Sequence, residues 1–376
     1  MPIDHLKIGF VRRGFSRSGG AEAYLKRLAR GVMTAGHEAQ LFTGAEWSGD
    51  QWQYGNVVRV NGESPLQFAD ELERLRPSES CDVLMSLERV WRCGVYRAGD
   101  GVHAAWLQRR ARHASAWQRV RNAFNRKHSA IFRLEQALFR ERRAGRVIAN
   151  SAMVKQEITQ FYGYPADLID VVPNGVPIEQ FQWDQEAREA SRRVLQLDGE
   201  DVAVLFVGSG WERKGLAHAL QAIEKLDSRH LKLLVAGRGN AGRYRSRRAQ
   251  FLGEVTDTAA IYRASDIFVL PTLYDPFSNA CLEALASGLP VVTTRSNGFA
   301  EIIDDGVHGT IIDEPNSDSV ADAITFWSDN DRRLAARASI LERAAQFDIS
   351  VNVARTLEVL TQEASAASTS SKMRNT

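Results

Sequence analysis

Short apolar runs alternate with stretches of helical periodicity along most of this chain, and that alternation predicts its architecture. Residues 6–11 form an apolar run of strand length. From Ala21 to Ala35 the apolar positions recur at three- and four-residue intervals, the period of a helix packed on one face. Gly36 then makes a turn, and a second strand follows at 40–43. Further strands are read ending at Tyr96 and at 146–151, 169–176, 202–207, 231–236, 249–252, 266–270, 290–293 and 309–312, with helical segments between them, one at 152–162. Strand, helix and strand in repetition is the rhythm of a parallel sheet covered by helices. Residues 177–200 are polar and read as a linker followed by a short helix; 350–363 read as a last helix, and 365–376 as a disordered tail.

Length turns one sheet into two. At 376 residues the chain exceeds what one core comfortably supports, so a division into halves is expected. The composition, 44% apolar and 25% charged, is that of an ordinary soluble globular protein. The first apolar run is a strand flanked by charges, and no segment reads as a signal peptide or a membrane span. Cys81, Cys93 and Cys281 are odd in number and lack metal-ligand spacing, which points to a reducing cytoplasm and no metal site.

The sharpest chemical signal is PTLYDPFSNACLEALASGLPV, residues 271–291. Seven residues separate Asp275 from Glu283. The Asp-Pro turn opens a helix that Ser278 or Asn279 can cap, which puts Asp275 ahead of the helix and Glu283 one to two turns inside it. Backbone N–H groups at such an end suit an anion, here from Phe277 to Ala280. Carboxylates beside a phosphate suit vicinal hydroxyls of the sugars attached to it. A capped amphipathic helix with ordinary surface acids would show the same pattern. A second signal lies in DVAVLFVGSGWERKG, residues 201–215, where an apolar strand meets a turn at Gly208 and Ser209 and then the cations Arg213 and Lys214. Lys214 is expected to be exposed until a diphosphate reaches it. A third, weaker signal is the pair Gly19 and Gly20 after the first strand, which differs from G-x-G-x-x-G and argues mildly against a nicotinamide enzyme.

These segments resemble the retaining glycosyltransferases of family 4, in particular the lipopolysaccharide-core glucosyltransferases. Residues 275–283 match that family's E-x7-E element with Asp in the first position, and Arg213, Lys214 and Gly215 match its R-K-G element. The resemblance implies an α/β chain of the GT-B class: two facing Rossmann-like domains with parallel sheets and a cleft between them. The expected boundaries are 1–175 for the acceptor side and 176–349 for the donor side, with 350–364 packing back on the first. It further implies transfer of a hexose from a nucleotide-diphosphate sugar, uridine being the expected base, by front-face attack without an enzyme nucleophile, cofactor or metal. Arg213 and Lys214 would hold the diphosphate together with Gly208, Ser209, Phe277, Ser278, Asn279 and Ala280. Glu283 would take the ribose and Asp275 the transferred sugar. Gly19 and Gly20 would reach toward the donor phosphates, Gly20 serving the acceptor side as well. Asp100 matches an acidic residue that the family places near its acceptor, and His103 would project beside it, although Asp-Gly is also simple turn chemistry.

Charge adds a partner. Between Trp106 and Arg146 stand twelve Lys or Arg against two Glu, a local +10 in a chain of net +2. Trp117, Val120, Phe124, Ile131, Leu134 and Leu138 give that segment an amphipathic spacing. It suits attraction to an anionic membrane surface, and hence a cytoplasmic protein held at the inner face of the membrane. A solvated charged face over an ordinary core and an anionic soluble acceptor remain open, whereas no nucleic-acid module surrounds it. With a cell-envelope glycolipid or lipopolysaccharide core as acceptor, the chain reads as a glycosyltransferase. A nucleotide-sugar epimerase of the same fold and a non-catalytic sugar-nucleotide-binding protein are the rival readings.

Overall fold

The computed structural model describes residues 5–14, 20–44, 47, 51–112, 126–244 and 246–374. The chain divides into two compact units, residues 1–173 with 350–376, and residues 174–349.

The first unit is built on a seven-stranded parallel sheet in the order β3-β2-β1-β4-β5-β6-β7. Its strands are β1 (Lys7–Arg12), β2 (Glu38–Thr43), β3 (Gly55–Arg59), β4 (Val83–Ser86), β5 (Cys93–Arg97), β6 (Ala144–Ala149) and β7 (Ile169–Val171). The second unit carries a six-stranded sheet in the order β10-β9-β8-β11-β12-β13. Its strands are β8 (Val202–Val207), β9 (Leu231–Ala236), β10 (Ala249–Gly253), β11 (Ile267–Leu270), β12 (Val291–Thr294) and β13 (Gly309–Ile312). The central strands are apolar throughout, as β8 (VAVLFV) and β11 (IFVL) show, because helices cover both faces of a parallel sheet.

In both units the chain steps outward from the first strand, then returns to lay the next strand on that first strand's other side. The reversal falls between β1 and β4 in one unit and between β8 and β11 in the other. Loops leaving the carboxyl ends of these strands diverge there, and the crevice they leave is where open α/β sheets bind ligands.

Residues 46–94 carry elements that the apolar pattern left unassigned: β3, the helix Pro65–Arg74 and β4. One signal was present. Ser64 accepts a hydrogen bond from the backbone of Gln67, and the Gln67 side chain accepts one from the backbone of Ser64, the reciprocal cap that S-x-x-Q encodes. The last helix also departs from expectation, running from Ile349 to Arg374 instead of giving way to a tail at 365. Its end is rich in Ala, the strongest helix former, and free of Gly and Pro. The Ser365 and Ser368 hydroxyls donate back to carbonyls four residues earlier.

That helix is fastened to the first unit. Asn352 donates to the carbonyl of Pro173, Arg355 to that of Val171, and Gly31 of the first helix (Gly20–Thr34) passes so close that an added Cβ would lie 2.2 Å from Val353 Cγ1. Gly31→Val is therefore expected to cost roughly 1–3 kcal/mol by overpacking. Pairing it with Val353→Ala should recover most of that loss. Urea unfolding of the two variants checks this, and equal stability of Gly31→Val and wild type would contradict the contact.

Candidate functional site

In the second unit the site grows from a glycine. After β8 and the turn 208–210 the chain makes the short helix Trp211–Lys214, and Gly215 joins it to the helix Leu216–Leu226. Gly215 has φ 79°, and a Cβ there would stand 1.9 Å from the carbonyl oxygen of Pro271. Only glycine lets this junction press against the end of β11. The contact brings Lys214 onto Asp275: its Nζ donates to Oδ2 in an ion pair whose side chains are 12% and 8% exposed. Lys214 is thus mostly buried and paired, which corrects the expectation of an exposed cation; the turn at Gly215 turns it inward. Gly208 lies alongside, where a Cβ would reach within 3.6 Å of the Lys214 stem, and Ser209 is exposed.

Arg213 is tied to the same loop. Its Nη1 donates to the carbonyl of Tyr274 at 2.7 Å, while its own carbonyl accepts from the N–H of Leu273 at 2.9 Å and the hydroxyl of Thr272 at 3.0 Å. Ser278 caps the helix Asn279–Ala286, accepting from the N–H of Cys281. Behind the cap sits Asn297, fully buried and missed by sequence reasoning. Its Oδ1 accepts from the N–H groups of Ser278 and Phe299, and its Nδ2 donates to Thr293. Phe277 packs its ring on Phe299, and Asn174 donates to the Asn279 side chain at 2.6 Å. Glu283 accepts from the Tyr262 hydroxyl at 3.0 Å, and that hydroxyl also reaches the carbonyl of Ala280. Burial first, and the Glu283 charge second, keep Tyr262 protonated well above the usual phenol range.

In the first unit Gly20 opens the helix Gly20–Thr34, while Gly19 lies outside the described residues. Asp100 and His103 follow β5 on a turn fixed from below by Glu135, which is fully buried. Glu135 accepts from Arg89 at 2.8 Å, from the N–H of His103 at 2.9 Å and from the Tyr162 hydroxyl at 2.6 Å. Arg89 also donates to the carbonyl of Gly101 at 2.9 Å. Asp100 itself projects outward. The His103 ring meets His128 at 2.9 Å. Burial, then Arg89 and His128, push His103 down to about 4, so it is neutral at pH 7.

Of the basic segment, residues 113–125 lie outside the described residues, and with them Trp117, Val120 and Phe124. Part of the remainder is neutralised at home: Arg109 pairs with Glu157 and Arg146 with Asp170, each at 2.9 Å. Among the described residues no helix is long and apolar enough to cross a membrane, and no three His, Cys, Asp or Glu are grouped to hold a metal ion.

Two α/β units, each with its strand order reversed beside the first strand, are the architecture of the GT-B fold. Family comparison divides the chain along the same lines: residues 18–180 match Glycosyltransferase Family 4, and residues 201–330 match Glycosyl transferases group 1. The chain belongs to the GT4-like glycosyltransferases of the GT-B fold. It is 27% identical over 330 residues to an uncharacterized glycosyltransferase, MJ1607, of Methanocaldococcus jannaschii, covering 81% of this chain and 83% of that one. It is 24% identical over 319 residues to the lipopolysaccharide glucosyltransferase WaaG of Escherichia coli K12, covering 80% and 83%. A D-inositol 3-phosphate glycosyltransferase of Corynebacterium kroppenstedtii is 30% identical over 227 residues, about half of either chain (54% and 50%). Among solved structures, WaaG superposes with a TM-score of 0.81 at 19% identity, covering 94% of this chain and 99% of that one. Anabaena HepE in complex with UDP-glucose gives 0.73 at 20%, covering 95% and 100%.

The ion pair makes a prediction about folding. Lys214→Ala leaves Asp275 buried without its cation and is expected to destabilise the protein by about 3 kcal/mol. Because the two side chains share one interaction, Lys214→Ala with Asp275→Ala should lose less than the sum of the single changes, with a coupling of about 1–3 kcal/mol. Denaturant titration of the four proteins measures it; strict additivity would mean that the pair does not form.

Proposed function

We propose that this glycosyltransferase moves a hexose, with retention of configuration, from a nucleotide-diphosphate sugar of the UDP type to a hydroxyl of a cell-envelope glycolipid such as lipopolysaccharide core. The observation that carries the reading is the Lys214 and Asp275 pair beside a capped helix end at the switch point of the second sheet. Breaking the anomeric C–O bond leaves charge on the diphosphate, so the rate depends on groups already aimed at that charge. An ammonium has three donors and a guanidinium five. Lys214 can therefore keep Asp275 and still donate to a phosphate, and Arg213 can keep the carbonyl of Tyr274 and do the same. The second oxygen of Asp275 would take a hydroxyl of the sugar, and Glu283 would take the ribose. These residues would supply the stabilisation without a metal. The relatives support the acceptor and donor classes, through a lipopolysaccharide glucosyltransferase and a UDP-glucose complex.

A panel of nucleotide sugars, offered with and without a lipid-linked acceptor, tests the reaction. One nucleotide-diphosphate hexose should be consumed in an acceptor-dependent way with its anomeric configuration kept. Conversion of the donor into an epimer without acceptor would overturn the reading. Glu283→Gln should weaken binding of UDP alone by roughly tenfold, the loss of a charge-assisted hydrogen bond. Asp275→Asn should also weaken it, since Lys214 depends on that carboxylate; calorimetry in which Asp275→Asn binds UDP as wild type does would separate the two residues.

The segment 106–146 is proposed to hold the protein at an anionic lipid surface on the cytoplasmic side, where each engaged Lys or Arg contributes on the order of 1 kcal/mol. In flotation assays the protein should follow vesicles containing anionic lipid and not purely zwitterionic ones, and salt should release it. Replacing Arg110, Arg112, Arg119 and Arg121 by Gln should abolish the binding. Arg109 is held by Glu157 and should matter less. Indifference of the wild type to anionic vesicles at low salt would leave a solvated charged face as the better account.

A further inference from the structure

At the amino end of the second sheet, opposite the end that carries Lys214 and Asp275, four arginines gather round Trp183 and Asp266. Asp266 immediately precedes β11, and its Oδ2 accepts from the N–H of Ala203, near the start of β8, at 2.8 Å. The helix Gln185–Val194 brings Arg188 and Arg192 to it from one face, Arg188 donating to Oδ1 at 2.6 Å and Arg192 to Oδ2 at 3.1 Å. Both also hold carbonyls, Arg188 those of Arg263 and Ser265, and Arg192 those of Ala264, Asp198 and Asp201. The helix Asn330–Ala345 brings a second pair at the same spacing, Arg333 and Arg337. Arg333 is buried and donates to the carbonyl of Trp327 and to Asn330. Trp183 links the two pairs: Arg337 stands 3.7 Å from its ring centroid, and Arg188 5.1 Å. Arg337 differs from the other three. Its stem crosses Gly288, where an added Cβ would lie 3.1 Å from Arg337 Cγ. Its Nε is buried without a partner, and among the described residues its Nη1 and Nη2 donate to nothing, nor does the Trp183 indole N–H. Burial first and then the Arg188 charge lower Arg337 from the ordinary arginine range; Asp266 offsets part of this, and Arg333 lowers it again. Asp329 is the next acid, beside Arg333. An excess of like charge withdrawn from water is costly until an opposite charge meets it.

We propose that Arg337 and the Trp183 indole N–H form a phosphate site, backed by the charges of Arg188 and Arg333 and separate from the donor site. Phosphate is chosen over carboxylate by charge and by shape. Asp266 answers one of the four guanidiniums, and the excess matches a dianion better than a monoanion. A guanidinium with both terminal nitrogens open grips two phosphate oxygens at once. Arg337 is already held against the indole and over Gly288, so little side-chain freedom is lost when the anion arrives. The donor site lies beyond the carboxyl ends of the same strands, and β8 alone puts about 20 Å between the two, so one diphosphate cannot fill both. Phosphate on a soluble molecule and phosphate on a lipid headgroup present the same chemistry to these groups, and the experiment separates them.

The test follows tryptophan fluorescence of the full chain while pyrophosphate is added, with chloride at matched ionic strength as the control. Subtracting the response of Trp183→Phe isolates this ring from the other tryptophans. Pyrophosphate should change Trp183 emission saturably, and chloride should not. Arg337→Gln should weaken the response by about tenfold, the loss of a charge-assisted hydrogen bond, and Arg337→Lys should recover only part of it. Arg337 makes no hydrogen bond that holds the fold, and circular dichroism of its variants should match that of the wild type. Calorimetry should find UDP affinity unchanged in Arg337→Gln. In flotation with vesicles containing phosphatidic acid, binding that Arg337→Gln weakens assigns the phosphate to a lipid headgroup, and binding that it leaves unaltered assigns it to a soluble molecule. Absence of a saturable wild-type response, a response in Arg337→Gln equal to that of the wild type, or a UDP affinity that falls together with the response overturns the proposal.

Discussion

In both units a cation at or beyond the end of one strand meets a carboxylate that follows the strand beside it where the order of strands reverses. There the pair is largely buried, unlike the exposed pairs Arg238–Glu254 and Arg295–Asp313 beyond other neighbouring strand ends. Elsewhere in a parallel sheet successive connections leave toward the same face. At the reversal the two connections leave toward opposite faces, and the gap is open to side chains from both. Lys214 and Asp275 fill it in one unit, Arg12 and Glu88 in the other.

Such pairs do little for net stability, because removing two charges from water costs about what their attraction returns. Their consequence is geometric. Asp275 fixes where the Lys214 ammonium stands before any ligand arrives. The loop that carries Asp275 is in turn bound by Arg213, by the backbone of Ser296 and Gly298, and through Asn297 to the capped helix end. For the reaction proposed above, preorganisation of this kind would avoid rearranging charges at the moment a diphosphate departs. The backbone contact at Gly215 is what makes it possible, since any side chain there would hold the Arg213 and Lys214 turn away from β11.

The first unit reaches the same end with deeper burial. Glu135 carries a charge inside the fold and is satisfied by three donors, one of them the backbone of His103, so the turn bearing Asp100 is positioned by a residue 35 places further along the chain. A buried carboxylate tolerates this only when its hydrogen bonds are complete. The neutral His103 and His128 pair then closes the turn against the helix Arg126–Glu135 without adding a further buried charge.

The sequence alone determined that the chain is α/β and that its strands lie parallel, and it singled out Arg213, Lys214, Asp275 and Glu283 as candidates for its chemistry. Those conclusions follow from local rules: apolar period, turn glycines, a capped helix start, and charge placed beside them. Even the overlooked helix at Pro65–Arg74 was announced by Ser64 and Gln67. What the sequence could not decide is which charges meet. Lys214 and Asp275 are 61 residues apart, Arg12 and Glu88 are 76 apart, and Arg89 and Glu135 are 46 apart. No local period links such positions. The tertiary structure turned Lys214 from an expected exposed cation into a mostly buried partner, and raised Glu88, Glu135 and Asn297 from unremarked residues to partners that hold the turns beyond the strand ends. The physical reason is that ion pairing depends on distance in space, and in a parallel sheet that distance is set by strand order, which periodicity does not encode.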